Sequence, residues 1–127
     1  EGYHTHGRDE ATASALVEAA QAMEEAGAFA VLLECVAAEA AQLISEKIAI
    51  PTIGIGSGPA CNGQVLVSHD LLGMGCAYVP KFAKQYANIG QVIEQGFRAY
   101  ADEVRQGAFP DSAHCVAMEE DEAKRLY

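Results

Sequence analysis

The feature that most constrains this chain is an alternation: apolar runs of strand length, separated by stretches of helical period. Ala28-Phe29-Ala30-Val31-Leu32-Leu33 contains no polar residue and stops at Glu34. It is too short for a helix and reads as a strand buried on both faces. Pro51-Thr52-Ile53-Gly54-Ile55-Gly56 reads as a second buried strand. Pro51 fits only at its first position, because proline cannot donate to a ladder. Cys76-Ala77-Tyr78-Val79 reads as a third.

The intervening segments have a different period. Over residues 9 to 26, Leu16, Ala20, Met23 and Gly27 recur at helical spacing, with Glu18, Gln21 and Glu25 on the other side. Asp9 is the expected N-cap and Gly27 the expected stop. Residues 37 to 47 give a second helix with Ala40, Leu43 and Ile44 inward. A short helix is expected over Gly63 to Ser68, with another helical turn after Asp70. A long helix over residues 89 to 106 carries Val92, Ile93, Phe97, Tyr100 and Val104. Gly107 ends it, and Phe109-Pro110 turns the chain away. From Asp111 the chain reads as a tail with one short helix at most.

Helices and strands in strict alternation imply parallel strands joined by right-handed crossovers. The expected fold class is therefore α/β. A closed (β/α)8 barrel needs about 250 residues, and this chain has 127. The expectation is one domain part, residues 1–127 with a tail at 111–127, covering the last three strands of such a TIM barrel and their helices. A small open doubly wound sheet is the alternative, but it leaves the first helix without a strand before it.

Composition narrows the function. Half of the residues are hydrophobic, Trp is absent, and the net charge is −10. So acidic a surface repels phosphate backbones, which argues against nucleic acid as a partner. No apolar run approaches the roughly 20 residues that span a bilayer, and no leader pattern precedes the first helix. Cys35, Cys61, Cys76 and Cys115 are widely spaced with no C-x-x-C pair, so they read as reduced thiols of a cytoplasmic protein.

Glu34 is the leading candidate for chemistry. A carboxylate that ends an apolar strand is costly unless it is paired or useful. Strand C-termini line the ligand site in parallel α/β folds. By alternation Glu34 shares a face with Leu32 and Ala30. If that face lines a barrel, partial burial makes the carboxylate a competent general base. The structural alternative is a Glu hydrogen-bonded to neighbouring backbone or salt-bridged to a loop Arg. Gly54-Ile55-Gly56-Ser57-Gly58 lets backbone approach a ligand closely, or simply turns the chain tightly. His69-Asp70 is a catalytic or metal-binding pair, or a capping Asp beside a packed His. His4 and His6 lack a third ligand and read as surface residues. Lys81 follows the third expected strand, where it can meet an anionic substrate or stay solvated, and Lys84 lies one turn on.

Several of these runs, in this order, resemble the ketopantoate hydroxymethyltransferase family. Leu32-Leu33-Glu34-Cys35-Val36 is similar to its sixth-strand motif, and Ile50 through Gly58 to its seventh. Asn62-Gly63-Gln64-Val65-Leu66-Val67 and His69-Asp70 follow as they do in the family. Val79-Pro80-Lys81-Phe82-Ala83-Lys84 resembles its eighth-strand motif, and Gly107-Ala108-Phe109-Pro110 with His114 its C-terminal signature. Gly2-Tyr3 and Gly7-Arg8 resemble the segment before its fifth helix. Asn62 stands where the family usually has Asp. His4-Thr5-His6 and Cys115-Val116-Ala117-Met118 also depart from its pattern.

The resemblance implies a (β/α)8 barrel of the phosphoenolpyruvate/pyruvate superfamily. It implies hydroxymethyl transfer from 5,10-methylenetetrahydrofolate to 3-methyl-2-oxobutanoate in pantothenate biosynthesis. Mg2+ stabilises the enolate, and Glu34 stands at the position of the base. It also implies a homo-oligomer, a decamer. The family's metal ligands lie in the barrel's first half, so none is assigned among these residues, and the isolated segment is expected to be inactive. A related lyase of the superfamily, or a non-catalytic segment acting only in assembly, are the alternatives.

Overall fold

The computed structural model describes residues 4–75 and 78–126. The chain divides into two compact units, Glu1–Ala87 and Asn88–Tyr127. In the first, α1 spans Glu10–Glu25, β1 Val31–Glu34, α2 Ala38–Lys47, β2 Thr52–Ile55, β3 Gly63–Gln64 and α3 Ser68–Leu72. In the second, α4 spans Ile89–Gln106 and α5 Glu120–Ala123, with a 3-10 turn at Ser112–His114.

The first helix begins as its sequence predicts. The Asp9 carboxylate accepts from the Thr12 amide at 2.9 Å, and the Asp9 amide donates to Thr12 Oγ1 at 3.4 Å, a reciprocal capping box. It ends in a Schellman closure: Ala28 N–H donates to the Met23 carbonyl at 3.0 Å and Gly27 N–H to Glu24 at 2.9 Å. The Glu24 carboxylate also accepts from the amides of Ala49 and Ile50, tying the turn before β2 back to α1.

The strands run parallel in the order β1-β2-β3. Val31 pairs with Thr52 and Glu34 with Ile55. Val31, Leu33, Val36, Ala20, Ala40, Ala41, Ile44 and Ile48 form one buried cluster, the seam between the sheet and the helices α1 and α2. On α2 it is Ala41 rather than the expected Leu43 that joins Ala40 and Ile44 in the core. Burying an isoleucine such as Ile44 completely is worth about 1.5–3 kcal/mol. The polar contents of this seam are bonded: among the described residues no buried side-chain nitrogen or oxygen lacks a partner.

Three expectations are corrected. The first strand starts three residues late, at Val31, because Gly27 and Ala28 are consumed by the helix closure; Phe29 is 90% exposed. Gly63 to Ser68 is not a helix. Gly63 and Gln64 form β3 instead, and the helix begins at Ser68. The edge of β2 offers ladder partners there, and an available ladder outweighs weak helical propensity. Of the expected strand at Cys76–Val79, Cys76 and Ala77 lie outside the described residues, and Tyr78 and Val79 belong to no strand.

The second unit is built on α4. Asn88 caps its start and Gly107, in the left-handed region, closes its end. Val92, Phe97, Tyr100 and Val104 are exposed. Tyr100 meets Phe109 edge-on with centroids 5.6 Å apart, and Phe109 in turn meets the His114 ring at 5.6 Å. No described helix is long and apolar enough to cross a membrane.

Candidate active site

Glu34 is the last residue of β1. Val31 and Leu33 are buried in the seam with the helices, whereas Leu32 and Glu34 are exposed. Strand alternation therefore puts Glu34 on the sheet face opposite α1 and α2, beside Ile55 across the ladder. The carboxylate has no ion-pair or hydrogen-bond partner among the described residues. Neither structural alternative for Glu34, a hydrogen bond to neighbouring backbone or a salt bridge to a loop Arg, is present among the described residues.

The backbone around Glu34 is fixed with care. Cys35 adopts φ 53°, an uncommon conformation for a residue with a side chain. Its amide donates to the Ile55 carbonyl at 2.9 Å, and its carbonyl accepts from the His6 amide at 2.8 Å. The Ala37 amide donates to the His6 carbonyl at 2.8 Å. His6 thus runs parallel to Val36 on the side of β1 away from β2. Ser57, 1% exposed, closes the arrangement. Its Oγ donates to the Leu33 carbonyl at 2.8 Å and accepts from the Val36 amide at 3.1 Å. One hydroxyl from the loop after β2 therefore clamps both sides of Glu34-Cys35. Burial pushes the Cys35 thiol above its usual value, and the nearby Glu34 charge pushes it further the same way.

The glycines of the loop have packing reasons. Gly56 has φ +65°, and a Cβ there lies 2.8 Å from the Phe82 ring. Gly58 has φ +78°, and a Cβ there lies 2.6 Å from the Ala38 Cβ at the start of α2. Both positions demand glycine without any ligand. Asn62 anchors the far end of the loop. Its Oδ1 accepts from the Thr52 amide at 2.9 Å and the Thr52 hydroxyl at 3.1 Å. Thr52 is itself fully buried and 2.7 Å from the Ser45 hydroxyl on α2. A carboxylate oxygen can accept the same two bonds, so Asn62 keeps the local architecture that an Asp there supplies.

Beyond the ends of β1 and β2 lies a cavity of about 440 Å3, lined by Thr5, Cys35, Gly56, Tyr78, Lys81 and Phe82. It is within the usual range for a small-molecule site. Lys81 is exposed and lines it, whereas Lys84 lies 4.9 Å over the Tyr86 ring. Glu34 does not line this cavity. It borders a smaller one of about 270 Å3 at the edge of β1, with His6, Leu16, Met23 and Leu32.

Of the other candidates, His6 lies beside the end of β1 through its bridge to Val36. His69 and Asp70 occupy consecutive positions in α3 with no hydrogen bond between their side chains. His4 and His6 are exposed, and His6 acts through its backbone. Cys35 and Cys61 are buried free thiols, Cys115 an exposed one, and Cys76 lies outside the described residues. Sequence reasoning missed Ser57. A hydroxyl between two glycines is a weak signal, and its partners sit 21 and 24 residues away.

A family model described as Ketopantoate hydroxymethyltransferase matches residues 1–112. A 3-methyl-2-oxobutanoate hydroxymethyltransferase of Clostridium novyi is 48% identical over 126 residues, covering 99% of this chain and 46% of the relative. One of Enterococcus faecalis is 47% identical over 126 residues, with 99% and 46% covered. One of Carboxydothermus hydrogenoformans is 48% identical over 126 residues, again with 99% and 46% covered. The chain spans about half the length of the curated relatives it matches.

Proposed function

This chain belongs to the ketopantoate hydroxymethyltransferase family, and from that premise we propose that Glu34 is the general base of a hydroxymethyl transfer to 3-methyl-2-oxobutanoate. The one-carbon donor is 5,10-methylenetetrahydrofolate, and the product is 2-dehydropantoate (ketopantoate), on the way to pantothenate and coenzyme A. The observation that carries the assignment is the placement of Glu34: a carboxylate without a partner among the described residues, at the C-terminal end of a parallel strand, on the face away from the helices. In barrels that face is the interior and that end is where the chemistry lies.

The step is a proton abstraction. The C3–H bond of the keto acid breaks, the proton passes to a Glu34 carboxylate oxygen, and the electron pair enters the enolate. Water hydrolyses the donor: the two carbon–nitrogen bonds of its methylene break, the nitrogens take up the two water protons to give tetrahydrofolate, and the carbon is released carrying the water oxygen as formaldehyde. C3 bonds to that carbon, and its oxygen takes the proton back from Glu34 to become the hydroxyl. Ser57 contributes by holding Leu33 and Val36, so that the carboxylate is delivered from a fixed strand end.

Mg2+, when bound, supplies charge stabilisation to an enolate. No group of three or more His, Cys, Asp or Glu that could hold a metal ion occurs among the described residues. The described residues therefore do not make that site. The wider (β/α)8 barrel, a homo-oligomeric (decameric) assembly and a cytoplasmic location belong to the same proposal.

Glu34→Gln in the full-length protein tests the assignment. Loss of a general base costs about 10²–10⁴-fold in kcat. Exchange of the keto acid's C3 proton with deuterated water disappears in step with it. A Glu34→Gln protein that still exchanges at the wild-type rate refutes the role.

A further inference from the structure

Asn62 is followed by Gly63, and that pair has a chemistry of its own. Asparagine is thermolabile, because the next backbone nitrogen can attack its side-chain amide carbon. A glycine in the next position leaves that nitrogen unshielded. Packing demands glycine at positions 56 and 58, but not at 63. A Cβ on Gly63 meets only the Ile53 Cγ1, at an ordinary 3.8 Å. Asn62 is exposed, so water reaches it. Its Nδ2 makes no bond among the described residues, so the leaving nitrogen is not held. Two features oppose the reaction. Oδ1 is held by the Thr52 amide at 2.9 Å and the Thr52 hydroxyl at 3.1 Å, and Gly63 is held opposite Ile53 in the β2–β3 ladder. The amide carbon and the Gly63 nitrogen meet only when this end of the ladder opens.

We propose that Asn62-Gly63 is a deamidation site gated by Thr52. The Gly63 nitrogen bonds to Asn62 Cγ and the Cγ–Nδ2 bond breaks. Nδ2 takes the Gly63 amide proton and leaves as ammonia, and a cyclic imide remains. Water then opens the imide at either carbonyl. One opening gives aspartate with the main chain restored. The other gives isoaspartate, whose main chain runs through the side-chain carbon. Aspartate keeps an oxygen for the Thr52 donors. Isoaspartate adds a carbon to the chain just before Gly63, so Gly63 and Gln64 lose their register against Ile53 and Gly54. Gln64 carries the shift onward, because its Nε2 donates to the Gly58 carbonyl at 2.9 Å. The loop that holds Ser57 is therefore disturbed by one product and spared by the other. The conversion itself does not depend on the hydroxymethyl-transfer reading.

The test ages the full-length protein at neutral pH, native and in guanidinium chloride, and follows the Asn62 peptide by mass spectrometry. Fragmentation that separates aspartate from isoaspartate identifies both products. Conversion is expected to be about tenfold slower in the native protein, the ratio that two neutral hydrogen bonds on one oxygen sustain. Thr52→Val keeps the shape of the side chain and removes its hydroxyl, and it should raise the native rate about threefold. Gly63→Ala, for which the structure has room, should suppress conversion in both conditions, and its unfolded arm does not depend on the variant folding. No conversion in denaturant means that the site is wrong. A native rate equal to or above the unfolded one, or unchanged in Thr52→Val, removes the gate. A Gly63→Ala chain that converts as fast as the wild type overturns the imide route.

Discussion

Replacing Ser57 by Ala removes one oxygen atom, and its cost can be worked out from the contacts it makes. The hydroxyl is 1% exposed, donates to Leu33 and accepts from Val36. In the alanine variant the Val36 amide, on a residue that is 5% exposed, has lost its acceptor. An orphaned buried donor costs about 1–3 kcal/mol. The Leu33 carbonyl loses one donor as well, so the middle of that range, about 2 kcal/mol, is a fair expectation. At about 1.4 kcal/mol per tenfold, local opening at the end of β1 becomes roughly 30-fold more frequent. Hydrogen–deuterium exchange of a peptide spanning residues 33–37 reads this directly. The control is Ser68→Ala, an exposed hydroxyl at the start of α3, expected to change stability by less than about 0.5 kcal/mol. Because Glu34 lies inside the clamped segment, kcat should fall more than KM rises. If exchange over residues 33–37 matches the wild type, the hydroxyl is not a clamp and the reasoning about the strand end fails.

Three further outcomes follow from the same geometry. Asn62→Asp should be close to neutral because Oδ1 still accepts from Thr52, whereas Asn62→Ala strands the buried Thr52 amide and should cost about 1–3 kcal/mol by urea denaturation; equal losses in both would contradict this. The thiol of Cys35, buried and with its pKa raised by burial and by Glu34, should resist alkylation at neutral pH while exposed Cys115 reacts; mass mapping after brief iodoacetamide treatment tells them apart. The Asp111 carboxyl is held below the usual carboxylate range, chiefly by the His114 ring at 2.6 Å and further by the His114 and Ala113 amides. A depressed carboxylate contributes stability that is present above its unfolded value and lost as pH falls through its folded one, so the Ser112–His114 turn should loosen only in acid. Titration of Asp111 by NMR should show a midpoint that moves back up in His114→Ala, and no movement would argue against the pairing.

Much of the scaffold was legible in the order of residues because local physics decides it. Asp9, Thr12 and Gly27 specify where α1 starts and stops through bonds that span at most five positions. The long period of apolar residues defined α4 with its ends at Ile89 and Gln106. Glu34 was marked by a rule just as local, a charge ending an apolar run, and alternation grouped it with Leu32; that this face lies away from the helices was decided by the fold.

What could not be read was settled by which edges and surfaces met. Gly63 and Gln64 have weak strand propensity, yet they pair with Ile53 and Gly54 because β2 presents an open ladder to them. The glycines at positions 56 and 58 advertise close approach, but only the packed chain shows that Phe82 and Ala38 are what approaches. Ser57 and Asn62 look like ordinary loop residues until the fold sets them against Val36 and Thr52. Hydrogen bonds between residues distant in the chain depend on the relative placement of whole elements. That placement comes from burying the β1, α1 and α2 surfaces together, a collective term that no short stretch of sequence encodes.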